Sequence, residues 1–278
     1  MRGLVADRRT TVQSAVTPPD LAVADLPVAD LLVRLAAGDL RAAEPDPTAT
    51  DGWRVRPHVK AAILAVFADR AMTTWTVGPL AFHDRANLPP VDPGPDRRIV
   101  PGGTAIRSGA HLAPGVIVMP PSYVNVGAWI GAGTMVDSHV LVGSCAQIGE
   151  RVHLAAGVTI GGVLEPAGAR PVIVEDEAFV GAGSRLLEGV LVGAGAVVGA
   201  GVVLTGTSRL FDLVEERELV GTAERPLVVP AGAVVVPGGR PAPGDWARER
   251  GLSIATALIV KRRDPGTDAR VALEGALR

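Results

Sequence analysis

The chain has 278 residues, enough for one large or two modest domains, and its single Cys excludes an internal disulfide framework and a cysteine-based zinc cluster. Gly 34 and Pro 23, with hydrophobic residues at 47% but aromatics at only 3%, exclude an ordinary helical protein and demand a narrow core of Ala, Val, Leu and Ile. A net charge of −2 gives no general attraction to nucleic acid or to an anionic membrane, so neither is expected as a partner.

At the N-terminus, Arg2 and the Arg8-Arg9 pair lead into a polar stretch rather than an apolar one, so no secretory signal is expected and the reducing cytoplasm is the expected compartment. Residues 1–97 read as a helical domain. One helix is predicted over 30–37, where Leu31, Leu32 and Leu35 share a face and Gly38 stops the element. A second begins at Pro57, a residue suited to a first helical turn, and places Val59, Ile63, Val66 and Phe67 at helical spacing. The Pro/Asp-rich run NLPPVDPGPDRR, 87–98, then breaks the pattern.

From Ile106 an aliphatic residue returns every sixth position: Leu112, Val118, Val124, Ile130, Val136, Val142, Ile148, Leu154 and Ile160. Two residues before each stands another small or apolar side chain, and strand alternation puts both sets on one face. The register lapses at GGVLEPAGARP and resumes at Val174, Val180, Leu186, Val192, Val198 and Leu204; a second insertion, 209–227, precedes Val229 and Val235. A short strand and a glycine-bearing corner, repeated every six residues, specify a hexapeptide parallel β-helix over 98–240. Three hexads make one triangular coil, and eighteen hexads give about six coils spaced ~4.8 Å apart. Residues 189–206 are long and apolar enough to imitate a membrane span, but six glycines at repeat corners argue against a helix. Beyond the breaker PGGRPAPGD, a C-terminal extension, 241–278, is predicted to hold a strand over 252–263 and a short helix over 269–277.

The strings MVDS (135–138), VGSCAQIG (142–149), VHLAAGVTIGGVLEP (152–166), VEDEAFVGAGSRLLEGV (174–190) and LIVKRRD (258–264) resemble the tetrahydrodipicolinate N-succinyltransferase family, as does DGWRVRPHVKAAILAVF (51–67) outside the repeat. The resemblance implies a mainly β fold, a left-handed parallel β-helix with an N-terminal helical domain and a short C-terminal extension. It implies transfer of succinyl from succinyl-CoA to the amino group of ring-opened tetrahydrodipicolinate, by direct attack of the amine on the thioester. It also implies a homotrimer with active sites between subunits. The sequence departs from the family pattern at MPPSYVN (119–125), where the second proline, Pro121, preserves the six-residue register and predicts a local change of corner only.

Acyl transfer to an amine needs the free base, and an α-amino group with a pKa near 8 is mostly protonated at pH 7. A carboxylate beside the nitrogen can hold the ammonium and take its proton. By the resemblance, Asp137 and Glu188 occupy the family's functional acidic positions; from the repeat alone Asp137 is a corner aspartate bonding backbone amides and Glu188 a solvated corner. The sequence separation, about eight hexads or nearly three coils, is too great for one small amine to touch both within a subunit, which points to Asp137 of one chain facing Glu188 of a neighbour. Arg98 matches the family's substrate-binding arginine and can pair with a substrate carboxylate. For coenzyme A, Gly161 and Gly162 flank an insertion placed to cover a groove, and Lys261, Arg262 and Arg263 form a tight basic triplet suited to nucleotide phosphates.

The remaining candidates read as structural. His58, His83, His111, His139 and His153 show no ligand spacing, and His139 and His153 are expected on different faces, so no metal is expected and a zinc hydratase of the same fold is disfavoured. Cys145 is expected to be a small corner residue rather than an acyl carrier. Two alternatives stay open at this level: an acetyl donor in place of succinyl, and a non-catalytic β-helix scaffold.

Overall fold

The computed structural model describes residues 25–264 together with Val23 and Gly266; the helix expected over 269–277 lies outside the described residues. Helix α1 (Val28–Ala37) buries Leu31, Leu32 and Leu35 and ends on Gly38 at φ 87°, a left-handed stop that glycine accepts without a Cβ clash. Two short antiparallel strands, β1 (Ala43–Pro45) and β2 (Trp53–Val55), then lead into helix α2 (Pro57–Val66), which starts on its proline and buries Val59, Ile63 and Val66. A hairpin follows, β3 (Met72–Val77) and β4 (Leu80–Arg85), joined by Gly78 and Pro79. The N-terminal region is therefore mixed α and β rather than helical. The sequence MTTWTVGPLAFHDR carries the signal for this hairpin, a β-rich run folded about a Gly-Pro pair.

From Arg98 the chain winds through two-residue strands that stack in parallel into three faces. The first face runs Arg98–Ile99, Ile117–Val118, Met135–Val136, His153–Leu154, Phe179–Val180, Val197–Val198 and on to Ala233–Pro241; the second runs from Ala105–Ile106 to Val203–Leu204; the third runs from His111–Leu112 to Val228–Val229. Each of the second and third faces has six strands, so the prism has the six coils that the hexads demand. The aliphatic stations are the second residues of the two-residue strands, and from Val118 upward they are fully buried in one continuous core. The doubled proline leaves Ile117 paired with Met135 and Tyr123 with Leu141, so the register survives it.

Three residues after most stations the chain takes a left-handed φ to turn the corner, which explains the spacing of Gly109, Gly127, Gly157 and Gly183. His139, Cys145, Arg151 and Glu177 hold the same position without being glycine. At Glu188 the corner differs: Glu188 (φ 53°) and Gly189 (φ 74°) are both left-handed, two and three residues past Leu186.

The N-terminal region clasps the edge between the second and third faces. Val126 and Cys145, at successive corners of that edge, join Leu31, Leu35, Ile63 and Val66 in a second apolar cluster. On the third face Arg41 lies 3.8 Å over the Trp129 ring and donates to Gln147 Oε1 at 2.9 Å. Burial pulls the Arg41 pKa down to about 10, still far above neutrality. The second insertion forms the antiparallel pair Arg209–Asp212 and Arg217–Val220, which the sequence pattern missed. It joins the long strands Ala233–Pro241 and Ser253–Arg262 in extending the first face. None of the described helices is long and apolar enough to cross a membrane.

Candidate active site

Asp137 follows Met135–Val136 and so stands on the edge between the first and second faces. Its Oδ1 accepts the Ser138 amide at 2.6 Å, and its backbone carbonyl accepts Ser122 Oγ at 2.8 Å. These contacts fix the corner and leave Oδ2 turned elsewhere, with the side chain 29% exposed. Oδ2 lies 3.9 Å from Nε2 of His153, which is buried and packs edge-on against Phe179. His153 is the partner of Met135 one coil up, on the same face. His139 stands at the corner past this first-face strand, whereas His153 lies on the first face itself, and what the sequence reading missed is how near His153 comes to Asp137. The signal was arithmetic, because 135 and 153 differ by 18, three hexads.

Arg98 opens the first face, two strands below Met135, with its side chain exposed. At strand spacing this places it about 10 Å below the Asp137 corner along the prism axis. Arg98, Asp137 and His153 therefore share one side of the molecule. Glu188 does not join them. It follows Arg185–Leu186 and is exposed on the edge between the second and third faces. The insertion after Ile160 occupies the space of one corner, so Glu188 is seven strands from Met135–Val136, not the eight hexads that sequence separation suggests. The two acids still stand on different edges.

The insertion has a more specific place than a cover. Lys60 of α2, fully buried, donates to the carbonyls of Pro166 (3.2 Å) and Ala169 (2.6 Å), and Leu164 packs on the apolar cluster of the helices. Burial lowers the Lys60 pKa, and burial pushes the neighbouring Cys145 thiol up to about 12. Such a thiol is inert at neutral pH, which agrees with a packing role for Cys145. Gly161 and Gly162 also have a packing reason: a Cβ at Gly162 would stand 2.9 Å from the Ser144 amide nitrogen, and one at Gly161 would stand 3.0 Å from Leu187.

The basic triplet is engaged within the chain. Lys261 pairs with Asp264 at 2.8 Å, Arg263 donates to the Glu177 and Gly195 carbonyls, and Arg262 donates to Asp212 at 2.7 Å. The Asp212 carboxylate is wholly buried. Burial alone would raise its pKa, but the Arg262 hydrogen bond and the Glu215 and Val214 amides outweigh it and hold the acid below its usual range. Arg262 is thus a tie between strands rather than a free phosphate ligand. A depressed folded pKa gives stability that is present above the unfolded value of about 4 and lost as pH falls through the folded one. Arg262→Met is expected to cost about 2 kcal/mol in denaturant unfolding at pH 7 and to flatten the acid limb of stability, with CoA affinity changed less than about twofold. A tenfold loss of affinity by calorimetry at unchanged stability would return Arg262 to the phosphate site.

Cations stand beside an open groove elsewhere. A cavity of about 380 Å³ at the C-terminal end of the prism is lined by Thr207, Ser208, Arg209, Arg240 and Thr256, with the backbone of Gly201 and Gly238. Among the described residues no three His, Cys, Asp or Glu side chains are grouped to hold a metal.

Comparison with known proteins places this geometry. The hexapeptide repeat of succinyl-transferase matches residues 171–206, and the bacterial transferase hexapeptide (six repeats) matches 127–162. A 2,3,4,5-tetrahydropyridine-2,6-dicarboxylate N-succinyltransferase from Idiomarina loihiensis is 40% identical over 87% of this chain and 84% of its own. The chain belongs to this N-succinyltransferase family. The same enzyme of Acinetobacter baylyi is 39% identical over 98% of this chain and 95% of its own. A crystal structure assigned as a 2,3,4,5-tetrahydropyridine-2-carboxylate N-succinyltransferase from Campylobacter jejuni aligns at 19% identity and TM-score 0.45, over 82% of this chain and 61% of that one. The hexapeptide matches and the parallel three-faced stack make the prism a left-handed β-helix. As a family member, the chain is a CoA-dependent acyltransferase.

Proposed function

We propose that the protein transfers the succinyl group of succinyl-CoA to the amino group of ring-opened tetrahydrodipicolinate, L-2-amino-6-oxopimelate, in the cytoplasmic route to diaminopimelate and lysine. The observation that carries this reading is identity near 40% to N-succinyltransferases across nearly the whole chain, flanking regions included.

In this reading the substrate ammonium sits against Asp137 Oδ2, the carboxylate oxygen that the corner amide leaves unused. Asp137 takes one proton from the ammonium, the freed amine attacks the thioester carbon, and the tetrahedral intermediate collapses with cleavage of the C–S bond to an amide and CoA, the thiolate taking up the second proton that the nitrogen gives up. Arg98, exposed on the same side, pairs with a substrate carboxylate. CoA is a co-substrate. Its phosphates suit the groove lined by Arg240 and by Arg209, which is half exposed and pairs with Glu218 at 2.8 Å, better than Arg262, whose partner Asp212 is wholly buried, and the pantetheine arm passes the glycine-flanked insertion. Because Glu188 lies on another edge, the complete site combines Asp137 of one subunit with Glu188 of a neighbour in a cyclic homotrimer.

Two measurements test the reading. Competition between succinyl-CoA and acetyl-CoA at equal concentration is expected to give the succinyl amide as the dominant product by mass spectrometry; acetyl product in excess, or no turnover of either, refutes it. Light scattering is expected to give about 85 kDa for three chains of 28.5 kDa. A fully active monomer would remove the shared site.

A further inference from the structure

We infer that Arg170, held by Asp51, is a positioning residue that sets the Glu188 corner for the reaction. The inference rests on the reading of Glu188 as functional and adds a device that holds it.

The Glu188 corner is the unusual one. Most other prism corners turn with a single left-handed residue three places past the station, whereas Glu188 and Gly189 are left-handed in succession. A non-glycine residue in that region is unfavourable on its own and persists where neighbours over-determine the backbone. The neighbours here are specific. Arg170 is buried, and its Nε donates to the Gly189 carbonyl at 2.8 Å. Its NH2 donates to the carbonyls of Pro226 (2.8 Å) and Leu227 (3.2 Å), and its NH1 pairs with Asp51. A Cβ at Gly206 would meet the Glu188 carbonyl at 2.5 Å, so the chain closes on the corner from that side as well.

One planar guanidinium thus ties four segments: the N-terminal loop at Asp51, the first insertion, the Glu188 corner and the end of the second insertion. Three of its bonds go to main-chain carbonyls, whose positions set backbone rather than side-chain geometry. The fork shape matters, because an ammonium cannot serve the Gly189 carbonyl and the Pro226–Leu227 carbonyls in the same fixed plane. Asp51 opposes the buried charge and orients the fork from the N-terminal region. Neither residue touches a reacting atom in the proposed mechanism, so both act through Glu188.

The test is a double-mutant cycle on the full-length enzyme, read as kcat, KM and melting temperature. Arg170→Lys is expected to lower kcat about tenfold with KM for succinyl-CoA changed less than about threefold. In a Glu188→Gln background the same substitution is expected to lower kcat less than about twofold, because its effect passes through the missing carboxylate. Asp51→Asn, which keeps the three carbonyl bonds, is expected to repeat the pattern at about threefold, and it carries the test if Arg170→Lys shows no cooperative melt. An equal loss in both backgrounds, tracking melting temperature, overturns the positioning role and leaves Glu188 in place. A Glu188→Gln enzyme as fast as the wild type overturns the reading of Glu188 and this inference with it.

Discussion

Asp137→Asn is expected to lower turnover by ~10² or more while melting stays within a few degrees of the wild type. The reason lies in how the two carboxylate oxygens are used. Oδ1 caps the Ser138 amide, and an asparagine carbonyl can accept that bond in the same place. Oδ2 has no such structural task and faces His153 at 3.9 Å across the open edge. Replacing it with an amide nitrogen removes the charge that holds an ammonium and the base that deprotonates it, with little change of volume. If Asp137 only caps its corner, the substitution is instead expected to cost about 1 kcal/mol of stability with turnover nearly intact. Mixing sharpens the test. Asp137→Asn and Glu188→Gln trimers, dissociated and reassembled together, are expected to recover part of the activity at interfaces that receive both wild-type acids. Mixed trimers, verified by mass, that stay as inactive as either parent show that the acids do not combine across an interface.

Much of the architecture is legible because a stacked prism repeats one local rule. Every coil buries the same positions, so ten aliphatic residues at unbroken spacing from Ile106 to Ile160 specify both strands and core. The same rule holds where chemistry changes, as at Pro120-Pro121, since register depends on residue count per corner rather than on residue type. Legibility ends where the rule does. The hairpins at 72–85 and 209–220 lie outside the repeat and needed a separate reading of turn chemistry. The site was legible only as residue types. Eighteen-residue arithmetic brings His153 to Asp137, but no spacing shows that Arg262 is consumed by a buried Asp212, or that Lys60 and Arg170 anchor the first insertion. Such pairings join segments as much as 50 residues apart for Arg262 and Asp212 and 109 for Lys60 and Ala169, and charge at one position does not reveal its partner.

The stacking also dictates where the prism is least tolerant. Ile148→Ala is expected to cost about 4 kcal/mol in equilibrium unfolding, toward the upper end for a buried isoleucine, and Ile148→Val about 1 kcal/mol. Ile148 is fully buried, with Ile130 directly below and Val174 directly above in parallel register. Those neighbours are fixed by main-chain bonds, Gly131 N to Ile148 O and Gly149 N to Val174 O at 2.9 and 2.7 Å. The coils cannot slide together to fill a void because a strand spacing of about 4.8 Å is set by hydrogen bonds, not by side-chain size. A cavity opened at this level therefore stays open, and the penalty includes its full volume. Leu35→Ala in α1 is a useful contrast, since a helix packed on an edge can shift toward a vacated site, and its cost is expected nearer 2–3 kcal/mol. An Ile148→Ala loss below about 1.5 kcal/mol would mean that the coils do relax, and with them the rigidity that holds the Asp137 corner eleven residues away.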